Sequence, residues 1–145
     1  MNNSVNLWIP GRAVGKARPR LNSRTGKVYT SDRYGTWKRD AIFYLKDKYG
    51  HLSLPSPCKV DCSFVNFYSS DSDNLLGSIL DVLVQAEYLG NDSSSFVVSS
   101  SGTFVTVRKP KNAEKPMGVL VSVVPMEMPK LDYLHIADKL AMVAC

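Results

Sequence analysis

Long apolar runs are missing from this 145-residue chain: nothing approaches the roughly 18 to 20 residues that cross a bilayer. The N-terminus MNNSVNLWIPGRAVGK also lacks a basic segment followed by an apolar core, so no secretory leader is expected. The chain therefore reads as soluble and intracellular. Cysteine is scarce, and Cys58, Cys62 and Cys145 show no disulfide-framework spacing, which predicts free thiols in a reducing compartment. Histidine is scarcer still. His51 and His135 have no Ser or Cys nucleophile in a recognisable context, which leaves a triad hydrolase unsupported. A zinc site from Cys58, Cys62 and His51 is no better founded, because two cysteines four apart on an alternating strand read as core residues. No internal repeat is present.

What the chain does have is length for one domain, 44% hydrophobic residues for an ordinary core, and an uneven charge. Nine of its eighteen bases (Arg12, Lys16, Arg18, Arg20, Arg24, Lys27, Arg33, Lys38, Arg39) fall between residues 11 and 39, against a single acid, Asp32. The rest of the chain is mildly acidic. A basic arm on an acidic body suggests an electrostatic footprint for a polyanion, nucleic acid first among them, although a solvated surface has the same composition.

Val5 to Ile9 alternates weakly and stops at Pro10-Gly11, a first strand and a turn. The basic arm follows as a loop with room for a short hairpin at Asn22 to Gly26. Ser31 or Asp32 caps a helix that Gly50 ends. Cys58 to Tyr68 alternates as a strand. Leu75, Leu76, Ile79, Leu80 and Leu83 mark an amphipathic helix from Asn74 to Glu87. Phe96 to Val98 and Thr103 to Arg108 flank Ser99-Ser100-Ser101-Gly102, as a hairpin or as one strand with a polar interruption. Met117 to Pro125 is a further strand, and Leu131 to Val143 a final helix whose Leu131, Leu134, Leu140 and Met142 would pack on the sheet or on a partner. The expected fold is α/β, a small mixed sheet with helices packed on it. Residues 1–126 read as the domain and 127–145 as a helical C-terminal extension.

Two motifs fail on inspection. Gly11-Arg12-Ala13-Val14-Gly15-Lys16-Ala17 has three residues between its glycines where a P-loop has four, and Ala17 stands where Mg²⁺ needs a hydroxyl. Asp71-Ser72-Asp73-Asn74 opens like a calcium loop, but Leu75 takes a ligand position and Val82 that of the final Glu.

The acids of SSDSDNLLGSILD (Ser69 to Asp81) carry more. If the strand runs on, Asp71 and Asp73 point the same way with Cα atoms roughly 6.5 to 7 Å apart. After the helix, Asp92 is a third hard oxygen donor, and three such donors suit Mg²⁺. Equally, Asp73 reads as an N-cap, Asp71 as a turn residue and Asp92 as a loop acid.

The pattern D-x-D-N-L (Asp71, Asp73, Asn74, Leu75), a helix bearing Asp81, the turn Tyr88-Leu89 and the closing Asn91-Asp92 resembles the RusA family of Holliday junction resolvases. GKARPRLNSRTGKVYTSDRYGTWK is similar to the phage branch of that family, and the resemblance spans Asn6 to Met126. It implies a homodimeric, Mg²⁺-dependent endonuclease of DNA recombination and repair, with Mn²⁺ a possible substitute, that cuts four-way junctions by paired symmetric incisions in the cytoplasm of a bacterial or phage-infected cell. Asp71, Asp73 and Asp92 match the metal-binding, catalytic carboxylates. Lys16, Arg18, Arg20, Lys38, Arg39, Arg108 and Lys109 are the expected DNA contacts.

Departures from the family pattern are as specific as the matches. Asn91 replaces an acid often found there, and Ser93 to Gly102 is longer than the usual connection. Gly77 stands where the family has a catalytic Lys four residues after the second Asp. Either another base, Lys16, Arg108 or Lys109, takes that role, or the chain is a branched-DNA-binding module with weak or no cleavage.

Overall fold

The computed structural model describes residues 4–16, 20–29, 32–68 and 72–143. Its elements are β1 (Val5–Pro10), β2 (Arg20–Leu21), β3 (Val28–Tyr29), α1 (Asp32–Tyr49), β4 (Cys58–Val65), α2 (Ser72–Gln85), β5 (Val97–Val105), β6 (Gly118–Pro125) and α3 (Tyr133–Val143). Four strands form a mixed sheet in the order β1-β6-β4-β5, with β4 and β5 parallel and the other two pairs antiparallel. The expected α/β architecture is what the chain adopts.

Alternation puts Leu7 and Ile9, Cys58, Val60, Cys62 and Phe64, and Val119, Val121 and Val123 in the core. Against them α1 buries Ala41 and Leu45, and α2 buries Leu75, Ile79, Val82 and Leu83 at helical spacing. Each fully buried Val, Leu, Ile or Phe among them contributes about 1.5 to 3 kcal/mol by leaving water. The stretch between α1 and α2 is thus anchored from both sides. On the other face Asn6, Ser122, Asp61 and Ser101 line up across the four strands. There Ser122 and Asn6 hydrogen-bond at 2.7 Å, and the Ser101 hydroxyl donates to Asp61 at 2.6 Å.

Several boundaries differ from the sequence reading, each for a local reason. Strand β4 stops at Val65 instead of Tyr68, because Asn66 turns into the left-handed region at φ 61°. Helix α2 begins at Ser72, two residues earlier than the apolar pattern shows, and ends at Gln85, with Glu87 left-handed at φ 66°. The Ser99-to-Gly102 run is not a hairpin turn. Val97 to Val105 is one strand paired along β4. Its polar residues suit a sheet edge, and a Cβ at Gly102 would stand 2.8 Å from the Phe64 ring.

The basic arm does form a small hairpin. Asn22 closes it, accepting from Gly26 N–H on its carbonyl at 2.8 Å and from Arg24 N–H on its side chain at 2.9 Å. Helix α3 forms as expected, but Tyr133 and Leu134 are 80% and 75% exposed, and Leu140 and Met142 are exposed as well. Packing on its own sheet is not what this helix does.

Candidate functional site

Because β1, β4 and β5 all run the same way, their C-terminal residues share one edge: Pro10, Gly118, Val65 and Val105 lie in a single row across the sheet. Three described segments leave from that edge, residues 11–16, 66–68 and 106–117. In open α/β sheets this is the end where ligands are bound.

The loops are tied to one another. The Arg12 guanidinium donates to the Tyr68 carbonyl at 2.6 Å, and Gly11 N–H to the Met117 carbonyl at 2.8 Å. Asn66 is the central clamp: its side-chain oxygen accepts from Val107 N–H at 2.9 Å, and its amide donates to the Pro116 carbonyl at 2.6 Å. Asn66 is nearly buried. Tyr68 and Thr106 hydrogen-bond at 2.8 Å between the second and third loops. Sequence reading missed Arg12 and Asn66 as organisers, although a polar Asn inside an apolar alternation is a visible signal for the latter.

Asp73 stands exposed in the first turn of α2, at this edge, where a helix N-terminus favours negative charge. Lys16 arrives beside it. The side-chain amide of Asn74 donates to the Lys16 carbonyl at 3.3 Å, and Gly15 lies so close that a Cβ there would fall 2.3 Å from the Asn74 amide nitrogen. The Gly11-to-Lys16 segment is therefore a loop docked on α2, not a phosphate-binding P-loop. Arg108 and Lys109 are exposed just beyond β5, at the same edge. Asp71 and Arg18 lie outside the described residues, as does the side chain of Arg20.

Farther down α2, Asp81 gathers charge from two other segments. The Tyr34 hydroxyl of α1 donates to its Oδ2, Lys38 Nζ lies 3.6 Å from the same oxygen, and Gln85 donates to Oδ1 at 3.3 Å. Lys38 also sits 5.1 Å from the Tyr34 ring centroid, a cation–π distance. Partial burial pushes the Asp81 carboxyl up, but the Tyr34 hydroxyl, Lys16, Lys38 and Gln85 together hold it below the ordinary value. Burial, then the bond to Asp81, drives the Tyr34 phenol well above its usual range. At neutral pH the pair is a phenol and a carboxylate. Arg39 is exposed, with a 3.5 Å contact to Thr36.

Asp92 is placed differently. It is exposed in the loop that precedes β5, where Ser93 O accepts from Phe96 and Val97 N–H. Val97 pairs with Cys58, the first residue of β4, whereas Ser72 lies against Gly102 well along β5. Fourteen residues of α2 separate the two ends, roughly 21 Å of helix. One chain therefore does not bring Asp73 and Asp92 together. Nor do the described residues contain a cluster of three His, Cys, Asp or Glu able to hold a metal ion. Cys58 and Cys62 are core residues, and burial, with Asp61 nearby, raises the Cys62 thiol to about 12, far from a zinc-binding thiolate.

Residues 10–123 match the endodeoxyribonuclease RusA family, a stretch that holds α1, β4, α2, β5, most of β6 and the loops of this edge, and only the last residue of β1. This chain belongs to the RusA family. It is 26% identical over 127 residues to the crossover junction endodeoxyribonuclease RusA of Aquifex aeolicus (strain VF5), covering 86% of this chain and 94% of that protein. A solved structure of a protein of the conserved Rid family, YyfB from Yersinia pestis, covers 83% of this chain and 78% of its own at 13% identity, with a TM-score of 0.31. That score is too low to carry an argument. In this RusA-family chain no helix among the described residues is long and apolar enough to cross a membrane.

Proposed function

We propose that this chain is a Mg²⁺-dependent endonuclease that resolves four-way DNA junctions as a homodimer, by paired symmetric cuts. What supports the reading is that Asp73 on α2, Lys16 on the loop after β1, and Arg108 and Lys109 on the loop after β5 all lie toward one sheet edge of a RusA-family chain. A carboxylate in a DNA-binding surface repels phosphate unless it holds a cation, and the bases around it then hold the backbone.

Hard carboxylate oxygens suit Mg²⁺, but a single chain does not complete the donor set, since Asp92 is at the far end of α2. The homodimer answers this: Asp71 and Asp73 of one copy would be joined by Asp92 of another, and two-fold symmetry would then make two such sites. A bound Mg²⁺ supplies an activated water and relief of charge on the phosphate being cut. The residues of the chain orient the backbone around it, with Arg108, Lys109 and Lys16 opposing the charge of the flanking phosphates.

Cleavage of a synthetic four-way junction, each strand labelled in turn, tests this. Paired nicks at symmetric positions that need Mg²⁺ or Mn²⁺ are expected. Binding without any nick in either ion would leave the second reading, a branched-DNA-binding module, which Gly77 favours because glycine brings no cation to α2.

A further inference from the structure

Trp37, Asp40, Ala41 and Tyr44 fall at i, i+3, i+4 and i+7 of α1, one stripe of the helix, and this stripe faces the carboxyl end of β1. A stripe of such spacing ordinarily fills the groove beneath it. Here the residue between the two aromatics is the buried Ala41, whose methyl leaves a cleft of about 230 Å³ lined by Ile9, Pro10, Trp37, Asp40, Ala41 and Tyr44. That is smaller than the roughly 300 to 1,000 Å³ that takes a drug-sized ligand, and it suits one flat ring system. Two half-buried aromatic rings and three apolar side chains line it, and the exposed Asp40 adds a carboxylate, which only accepts hydrogen bonds. Pro10 also opens the segment that runs on to Lys16 beside Asn74, so the cleft lies at one end of that loop and the first turn of α2 at the other.

We propose that this cleft takes one unpaired base of the DNA, stacked against Trp37 and Tyr44, and that Asp40 makes guanine the preferred base. This rests on the nuclease reading and adds to it a place where base identity is read. Every base has a flat face to lay on an aromatic ring, so stacking alone does not discriminate. The Asp40 carboxylate does. On the edge freed by unpairing, guanine offers two adjacent N–H donors, adenine and cytosine one amino group each, and thymine a single ring N–H between two carbonyls that a carboxylate repels. A cation is the other ligand that aromatic rings and a carboxylate recognise. Lys48 Nζ, however, already lies 5.9 Å from the Tyr44 ring centroid, and α1 as a whole carries five bases against three acids. A second ammonium would meet like charge there, whereas a nucleotide brings a phosphate that those bases attract.

The probes are four-way junctions with one extra nucleotide at the branch, guanine, adenine, cytosine or thymine, chosen because such a base is already unpaired. Affinity with Mg²⁺ withheld is the readout, with melting temperature as control. The native chain should bind the guanine junction about tenfold more tightly than the thymine one, with the other two between them. In Asp40→Asn that ratio should fall below about twofold while the thymine junction binds as before or tighter, a pattern that misfolding does not produce. Tyr44→Leu removes a stacking face and keeps the carboxylate, so it should weaken all four junctions and leave their order unchanged. Equal affinity of the native chain for the four junctions, full affinity in Tyr44→Leu, or a guanine preference kept in Asp40→Asn would overturn the proposal. If Asp40→Asn keeps the preference and instead loses the dimer, the cleft holds a cationic side chain of a second copy. A native chain that cuts nothing fails the nuclease reading alone, since the four affinities are read without cleavage and still decide what the cleft takes.

Discussion

The side-chain amide of Asn74 and the backbone carbonyl of Lys16, 58 residues apart, are joined by a 3.3 Å hydrogen bond. This bond ties the basic arm to the first turn of the acid-bearing helix, and it exists because Gly15 has no Cβ to push Asn74 aside. Gly15→Ala is expected to displace the Asn74 side chain and uncouple Lys16 from α2. The global cost should stay near that of one exposed hydrogen bond, about 1 kcal/mol, while junction cleavage falls severalfold. Denaturant unfolding and cleavage measured on the same preparation check the pair of values, and a native cleavage rate would show that the arm needs no such anchor.

Asp73→Asn is expected to abolish cleavage and leave junction binding intact or tighter, because the proposed metal ligand is lost and repulsion of phosphate falls. Asp71→Asn and Asp92→Asn should behave alike. The placement of Asp92 at the far end of α2 adds a sharper outcome. Mixing Asp73→Asn and Asp92→Asn subunits creates mixed dimers in which one of two composite sites is intact, so about a quarter of the native sites return. Sites confined to one chain would give no recovery, and nicking of a labelled junction reads the difference.

Arg108 and Lys109 are exposed at the carboxyl end of β5, on the edge that carries Asp73. Replacing each by Ala should weaken binding to any DNA and flatten the slope of log K against log salt by about one unit per lost phosphate contact. Titrations at several salt concentrations measure this, and an unchanged slope would assign both side chains to solubility alone.

Asn66 combines a left-handed backbone with two side-chain bonds that pin the third loop. Asn66→Ala loses both bonds and the greater tolerance of Asn for the left-handed region, for an expected loss of about 2 to 4 kcal/mol. Asn66→Gly keeps the backbone at ease and should cost roughly 1 kcal/mol less. Thermal unfolding of the two variants side by side gives the ordering.

Asp81 links stability to pH. Its carboxyl is held below the ordinary 3.8, so its contribution is fully present above that value and is lost as pH falls through the lower folded value. The gap in melting temperature between the native chain and Asp81→Asn should therefore be constant near neutrality and close in acid. A gap that widened on acidification would contradict the Tyr34 and Lys38 contacts.

By itself, the sequence determined the elements and the chemistry of the residues. Period-2 alternation in Val5 to Ile9 and Met117 to Pro125, and the Leu75–Ile79–Leu83 stripe, are local patterns that each bury one face, and the structure forms a strand or helix from each. The D-x-D-N-L element and its downstream Asn91-Asp92 were enough to point to the RusA family, because they are residue types at fixed spacing. Tertiary structure alone decided which of those residues meet. Strand order and direction place Asp73, Lys16, Arg108 and Lys109 on one edge and Asp92 on the other, and no local pattern encodes that. The end of β4 at Asn66, the closure of Gly15 on Asn74, and the pairing of Lys38 and Tyr34 with Asp81 are likewise contacts between segments distant in the chain. Such contacts depend on how far apart packing sets the helices and loops, a quantity that residue spacing along one element does not contain.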